Sequence, residues 1–196
     1  MTATHTADTG TRTAWIDRAR GLAIVLMVLD HALVAAGEHG HPLRYTATRA
    51  ALPLFMLCAA NVWRPGLRPR RLAWMAAALA VELVTFPMIG LPLPGIMLGI
   101  IGVTLLLAAV PQIADLRYSW ALTVASFVAW VFVPMPPELW IIAVTLGWWS
   151  LGNMAGWYGT PIPDRGPRAL LTVGRHPIGF YIGHLAVLAA VCELAR

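Results

Sequence analysis

Lysine is absent from this sequence, and charged residues of either sign are scarce. All 14 basic residues are arginines, and charged residues make up 12% of the chain against 59% hydrophobic residues. A soluble globule of 196 residues is excluded, because it would need far more polar side chains to cover its core. The sequence therefore predicts an all-α, polytopic transmembrane bundle surrounded by a lipid bilayer.

Cysteine is also scarce, and the basic excess does not gather in one tract. Cys58 and Cys192 both lie within apolar runs, so a disulfide framework is not expected. The net charge of +5 comes from arginines between apolar runs, which is typical of positively charged inner loops rather than of a nucleic-acid surface. We expect no nucleic-acid partner and no metal.

Seven apolar runs are separated by loops rich in glycine, proline and arginine. They span residues 16–36, 50–63, 72–89, 96–110, 119–133, 139–154 and 169–195. Pro177 is expected to split a short lead-in from the last run. Residues 1–13 are predicted to be a disordered cytoplasmic tail, and residues 14–196 a single transmembrane domain. In that topology only Arg44, Arg49 and Arg196 lie outside, as the bias toward positive inner loops requires.

The first run carries charge where a membrane span is normally apolar. Arg20 stands at one end of the apolar segment 22–29, and the pair Asp30 and His31 stands at the other. The step from Arg20 to His31 is close to three helical turns, so both side chains share one face, roughly 16 Å apart along the axis. This spacing favours an elongated ligand or a path across the membrane. Asp30 is turned about 100° away and is expected to bond a neighbouring helix.

Three short motifs stand out along the chain, in a fixed order. The first is Arg20-x10-His31; the second is Pro-Leu-Phe-Met-Leu at 53–57, followed by the Arg-x-x-Arg pair Arg68 and Arg71; the third is 174–184, which closes on Tyr181-x-x-His184. Together they resemble the membrane-bound acyltransferases of acyltransferase family three, including the heparan-acetyltransferase-like and TraX-like (pilin-acetylating) members of that superfamily. The chain departs from the family in length, since family-three enzymes carry more spans.

The resemblance implies an O-acyltransferase, most simply an acetyltransferase, of the bacterial inner membrane with a cytoplasmic N terminus. Acyl-CoA (acetyl-CoA) is the implied donor, with its phosphates bound by Arg68 and Arg71 and its inner end seated by Arg20. The acceptor is a hydroxyl of a glycan, a lipid or a small molecule. His31 would take the acceptor proton as a general base, and Asp30 is assigned to the catalytic group beside it.

Four further polar residues complete the candidate site as substrate-binding groups. Glu82 lies inside an apolar run and has to be paired or protonated, with Arg49 as a candidate partner. Tyr181 and His184 are one helical turn apart, share a face and are expected to line the same cavity as His31.

Two interpretations from other classes stay open. One is a small-solute or lipid transporter with a proton path; the path would run through Asp30, His31, Glu82 and His184. A transporter is expected to have paired halves, and the sequence has no such symmetry. The other is a noncatalytic membrane partner subunit. A homo-oligomer is compatible with each, and Gly179-x-x-x-Gly183 predicts a helix-packing face.

Overall fold

The regular elements of the described chain are all helical, which confirms the predicted all-α class. The computed structural model describes residues 14–61, 68–91, 96–110, 112, 115–134, 136–157 and 166–195, so the predicted tail at 1–13 lies outside it. The helices are α1 (Ala14–Ala35), α2 (Pro42–Tyr45), α3 (Ala51–Asn61), α4 (Pro69–Ile89), α5 (Ile96–Ala109), α6 (Leu116–Phe132), α7 (Pro137–Trp157), α8 (Arg168–Arg175) and α9 (Pro177–Leu194). A 3₁₀ turn, Thr48–Ala50, leads into α3.

Among the described helices, α4 and α9 are long and apolar enough to cross a membrane by length and composition. Helix α5 and the segments Tyr118–Ala129 and Ile141–Met154 of α6 and α7 are apolar but shorter. The 11-residue α3 rises only about 16 Å, roughly half of a hydrocarbon core about 30 Å thick. A helix therefore forms in each predicted apolar run, and two of the described helices, α4 and α9, meet the length and composition of a membrane span.

The boundaries of α4 follow local capping chemistry. Pro69 is its first residue, a position where the missing N–H costs nothing. Arg71 therefore lies in the first turn of a helix, which begins three residues before the predicted apolar run 72–89. At the other end Gly90 adopts a left-handed φ of 76°, and its N–H donates to the Phe86 carbonyl.

Helices α1 and α8 touch backbone to backbone, and glycine makes this contact possible on both sides. A Cβ on Gly174 of α8 would overlap the Asp17 carbonyl of α1, and a Cβ on Gly21 would overlap the Leu170 carbonyl. The last run divides at His176, between α8 and α9, as Pro177 predicted. Pro177 is the first residue of α9, so the start of α9 follows directly after the helix that packs on α1.

Two apolar clusters hold the helices together around the site. One joins α4, α5 and α9, and includes Met75, Phe86, Met97, Tyr181 and Leu185. The other joins α3, α5 and α7 around the fully buried Trp149. Helix α1 packs on α3, α8 and α9, and α6 packs on the outer side of α7. The candidate site lies where α1, α4 and α9 meet.

The prediction that Gly179 and Gly183 form a helix-packing face is wrong for contacts within this chain. A Cβ built on Gly179 or on Gly183 would have no heavy atom within 4 Å among the described residues. Both glycines are exposed and border an open groove, which they share with Val28 of α1 and with His184.

Candidate active site

A cavity of about 240 Å³ lies between α1, α3, α4, α5 and α9. Arg20 of α1 and Arg71 of α4 are the charged side chains in its wall, and Tyr181 of α9 adds a phenol. The rest of the wall is largely apolar and includes Ile24, Met27, Phe55, Met75, Ile100 and Ile178. Two predicted donor-binding arginines, distant in sequence, therefore line one mostly apolar cavity.

Asp17 holds the Arg20 side of this cavity in place. The Asp17 side chain is 2% exposed, and its Oδ1 lies 3.7 Å from Nη1 of Arg20, one helical turn away. Its Oδ2 lies 3.8 Å from Nε of Arg175, the last residue of α8. A buried carboxylate requires such partners, since an unpaired charge is costly away from water. The sequence analysis did not include Asp17 or Arg175 among the site residues, although the i,i+3 spacing of Asp17 and Arg20 indicates an ion pair.

The histidines of α1 and α9 meet directly. Nδ1 of His31 lies 2.8 Å from Nε2 of His184, and the two ring planes are inclined by 21° with centroids 5.1 Å apart, so the rings meet edge to edge. Nδ1 of His184 lies 3.1 Å from the Phe180 carbonyl of its own helix. Phe86 of α4 presents its ring edge-on to His31 at 5.5 Å between centroids. His31 is buried, so the pair is enclosed on several sides.

Tyr181 connects the histidine pair to the cavity. Its ring is T-shaped against His184, with centroids 5.4 Å apart, and it also lines the cavity. Met27, another lining residue, precedes His31 by one turn of α1. His184 itself borders the open groove beside Gly179 and Gly183 rather than the cavity. Tyr181 therefore lines the cavity, whereas His184 borders the groove, so the two residues do not line one cavity together as expected. Their rings nevertheless contact each other, and His184 contacts His31.

The Asp30 carboxylate forms its hydrogen bonds with Arg44 and Thr48. Its Oδ1 accepts hydrogen bonds from Nε of Arg44 at 3.2 Å and from Oγ1 of Thr48 at 2.9 Å. These bonds tie α1 to the 3₁₀ turn and to α2. The structure therefore gives the Asp30 carboxylate a structural contact, as its position about 100° around the helix from His31 indicated.

The predicted pairing of Glu82 with Arg49 is wrong. Glu82 is fully buried, its Oε2 accepts the backbone N–H of Met97 at 3.2 Å, and the Tyr181 hydroxyl lies beside its carboxyl group. The first N–H groups of a helix lack intrahelical acceptors. Met97 is the second residue of α5, and its N–H donates to the Glu82 side chain instead. Arg49 is exposed instead, with its guanidinium 5.9 Å from the ring centroid of Tyr45.

The two arginines of the Arg-x-x-Arg motif differ in position. Arg68 precedes the first residue of α4 and is exposed, whereas Arg71 is half-buried and lines the cavity.

Among the described residues, no three His, Cys, Asp or Glu side chains are placed to hold a metal ion.

Comparison with protein-family models, with curated proteins and with solved structures finds no match to this chain. The resemblance to acyltransferase family three therefore rests on its motifs alone. In the structure, residues from the three motifs converge. Arg20, Arg71 and Tyr181 line one cavity, and Tyr181 contacts His184 of the histidine pair His31 and His184.

Proposed function

We propose that this protein is an integral-membrane O-acyltransferase. It moves an acyl group, with acetyl as the first case to test, from cytoplasmic acyl-CoA to a hydroxyl of a glycan, a lipid or a small molecule. The observation that carries the proposal is a single cavity that holds two guanidinium groups, has apolar walls, and borders Tyr181 next to the His31 and His184 pair.

The donor site follows from the chemistry of the cavity wall. Guanidinium groups bind phosphates through paired N–H donors, and coenzyme A presents a diphosphate and a ribose phosphate. Arg71 and Arg20 contact these phosphates at the cavity, and the exposed Arg68 adds a contact outside it. The acyl-bearing arm then runs along the apolar wall toward His31, a distance of roughly 16 Å from Arg20 along α1.

The transfer step uses the basic nitrogen of His31. As the acceptor oxygen attacks the thioester carbonyl, His31 removes the hydroxyl proton, a new C–O ester bond forms and the C–S bond breaks. The leaving thiolate takes the proton back from the imidazolium, so coenzyme A leaves as the thiol. The helices exclude water from the thioester and hold the reactants together. The open groove at His184 offers the acceptor an approach separate from the donor cavity.

We further propose seven membrane helices, α1, α3 to α7 and α9, in the bacterial inner membrane. Large apolar side chains exposed on α4, α6 and α9, among them Val84, Val131 and Val187, support a lipid-facing exterior. With a cytoplasmic N terminus, an odd number of crossings puts the C terminus outside. Reporter fusions at Arg196 are expected to signal an external location, and a cytoplasmic signal there would contradict the count of seven.

Arg71→Lys is expected to weaken acetyl-CoA binding by about tenfold or more, because lysine is a point charge and cannot make the planar two-donor contact. The measurement is the affinity of the purified protein for acetyl-CoA. Arg70→Lys is the matched control, since Arg70 is an exposed neighbour on the same helix turn and does not line the cavity. Equal affinities for wild type and Arg71→Lys would contradict the donor assignment.

A transporter is the second candidate, and one observation favours it. Glu82, Tyr181, His184 and His31 form a row of adjoining polar side chains across α4, α9 and α1. Such rows relay protons in pumps and transporters. Asp30 is not part of the row, because it is bonded to Arg44 and Thr48. Saturable acyl-CoA binding separates the acyltransferase from both the transporter and the noncatalytic subunit.

A further inference from the structure

The hydrogen bonds of the two histidines determine where their protons are. A carbonyl oxygen only accepts, so the 3.1 Å contact between His184 Nδ1 and the Phe180 carbonyl requires a proton on that nitrogen. A neutral imidazole has one N–H, which leaves His184 Nε2 with a lone pair. The 2.8 Å contact between the rings then requires the proton on Nδ1 of His31. Nε2 of His31 is consequently the unprotonated, basic nitrogen.

A doubly protonated His184 would allow the opposite arrangement, but the neighbouring groups do not favour it. The carboxylate of Asp30 is bonded to Arg44 and Thr48, and the carboxyl group of Glu82 lies beside Met97 and Tyr181. A cation at the half-buried His184 would therefore have no contacting carboxylate among the described residues, and a charge placed among the apolar side chains that line this groove is unfavourable.

We propose that His184 is a positioning residue whose Nε2 accepts the Nδ1 proton of His31 and thereby presents Nε2 of His31 as the base. This inference deepens the proposed function and rests on it for the identity of the reaction. It replaces the substrate-binding role that the sequence suggested for His184. A free imidazole divides between two tautomers and rotates, whereas a hydrogen-bonded partner on one nitrogen fixes both the tautomer and the ring. Phe86 packs edge-on against His31 and further restricts its rotation.

The kinetic test compares two substitutions of His184. The side-chain oxygen of glutamine reaches the position of Nε2 and can accept the same proton, so His184→Gln is expected to keep kcat within about threefold of wild type. His184→Leu removes the acceptor and is expected to lower kcat about 10- to 100-fold with the donor KM nearly unchanged. His39→Leu, in an exposed loop, is the control for an unrelated histidine. Equal losses in both His184 variants would make His184 itself the proton carrier, and wild-type kcat in His184→Leu would remove its role; either result overturns the proposal.

The tautomers are also measurable without any reaction. Nitrogen NMR of the protein carrying ¹⁵N-labelled histidine is expected to show His31 protonated at Nδ1 and bare at Nε2, with assignment by His31→Ala and His184→Gln. A His31 protonated at Nε2 alone would overturn the proposal. Failure of the proposed function looks different: the wild-type protein would neither bind nor use acyl-CoA, while the NMR spectrum would still report the tautomers.

Discussion

His31→Ala is expected to lower acyl transfer at least about 100-fold, the usual contribution of a general base, while acetyl-CoA affinity stays close to that of wild type. The two effects are expected to separate because, in the proposed mechanism, the imidazole acts on the acceptor proton, whereas Arg20 and Arg71 in the cavity wall bind the donor phosphates. The measurement is turnover and donor binding on the same purified preparations, with matched expression.

Arg20→Ala is the informative counterpart. It removes a guanidinium from the cavity wall and leaves the carboxylate of Asp17 with a weaker set of partners, so donor binding is expected to fall. Full activity in His31→Ala would remove the base from the mechanism and, with it, the chemical reason for considering the protein an enzyme.

Gly174→Ala is expected to destabilise the protein by about 1–3 kcal/mol or more, because the new methyl group meets the Asp17 backbone, which cannot rotate away. For a chain of this size, 1 kcal/mol lowers Tm by about 2–4 °C. Donor binding should weaken too, since displacement of α8 would move Arg175 away from Asp17, the carboxylate that also pairs with Arg20. The measurement is thermal unfolding of the purified protein in detergent.

Gly183→Ala is the matched control for this prediction. Gly183 lies on the adjacent α9 and is exposed, and no atom of the described residues lies within 4 Å of a Cβ built on it. Its Tm is expected to stay within about 2 °C of wild type, since a surface substitution of this kind changes stability by less than roughly 0.5 kcal/mol. Equal unfolding temperatures for the two variants would mean that α1 and α8 do not touch at their glycines.

Local patterns in the sequence predicted the helices and the face of α1 on which the site is built. Apolar runs and prolines predicted where the helices lie, including the division before Pro177, because these signals act within one segment. The period of the helix put Arg20 and His31 on one face. The same argument directed Asp30 toward a neighbouring element, and its carboxylate bonds Arg44 of α2 and Thr48 of the 3₁₀ turn; its assignment to the catalytic group stays a prediction.

Contacts between segments were harder to predict, and Glu82 illustrates why. Its partner is the backbone N–H of Met97. Every residue type except proline carries this donor, so a pattern of side chains cannot predict the contact. The glycine contacts have a similar cause. Gly179 and Gly183 have the expected packing spacing, but a Cβ built on either would meet no described residue within 4 Å. The close contact instead uses Gly21 and Gly174, which lie on different helices. The approach of two backbones depends on the tertiary arrangement and not on a local spacing.

The most direct test of the central claim is equilibrium binding of acetyl-CoA to the purified, folded wild-type protein, titrated by calorimetry with free coenzyme A as competitor. We expect saturable binding at one site per chain, displaced by coenzyme A and weakened by Arg20→Ala and Arg71→Lys but not by His31→Ala. Absence of saturable binding by protein that unfolds cooperatively, or binding that both arginine variants leave unchanged, would contradict the account.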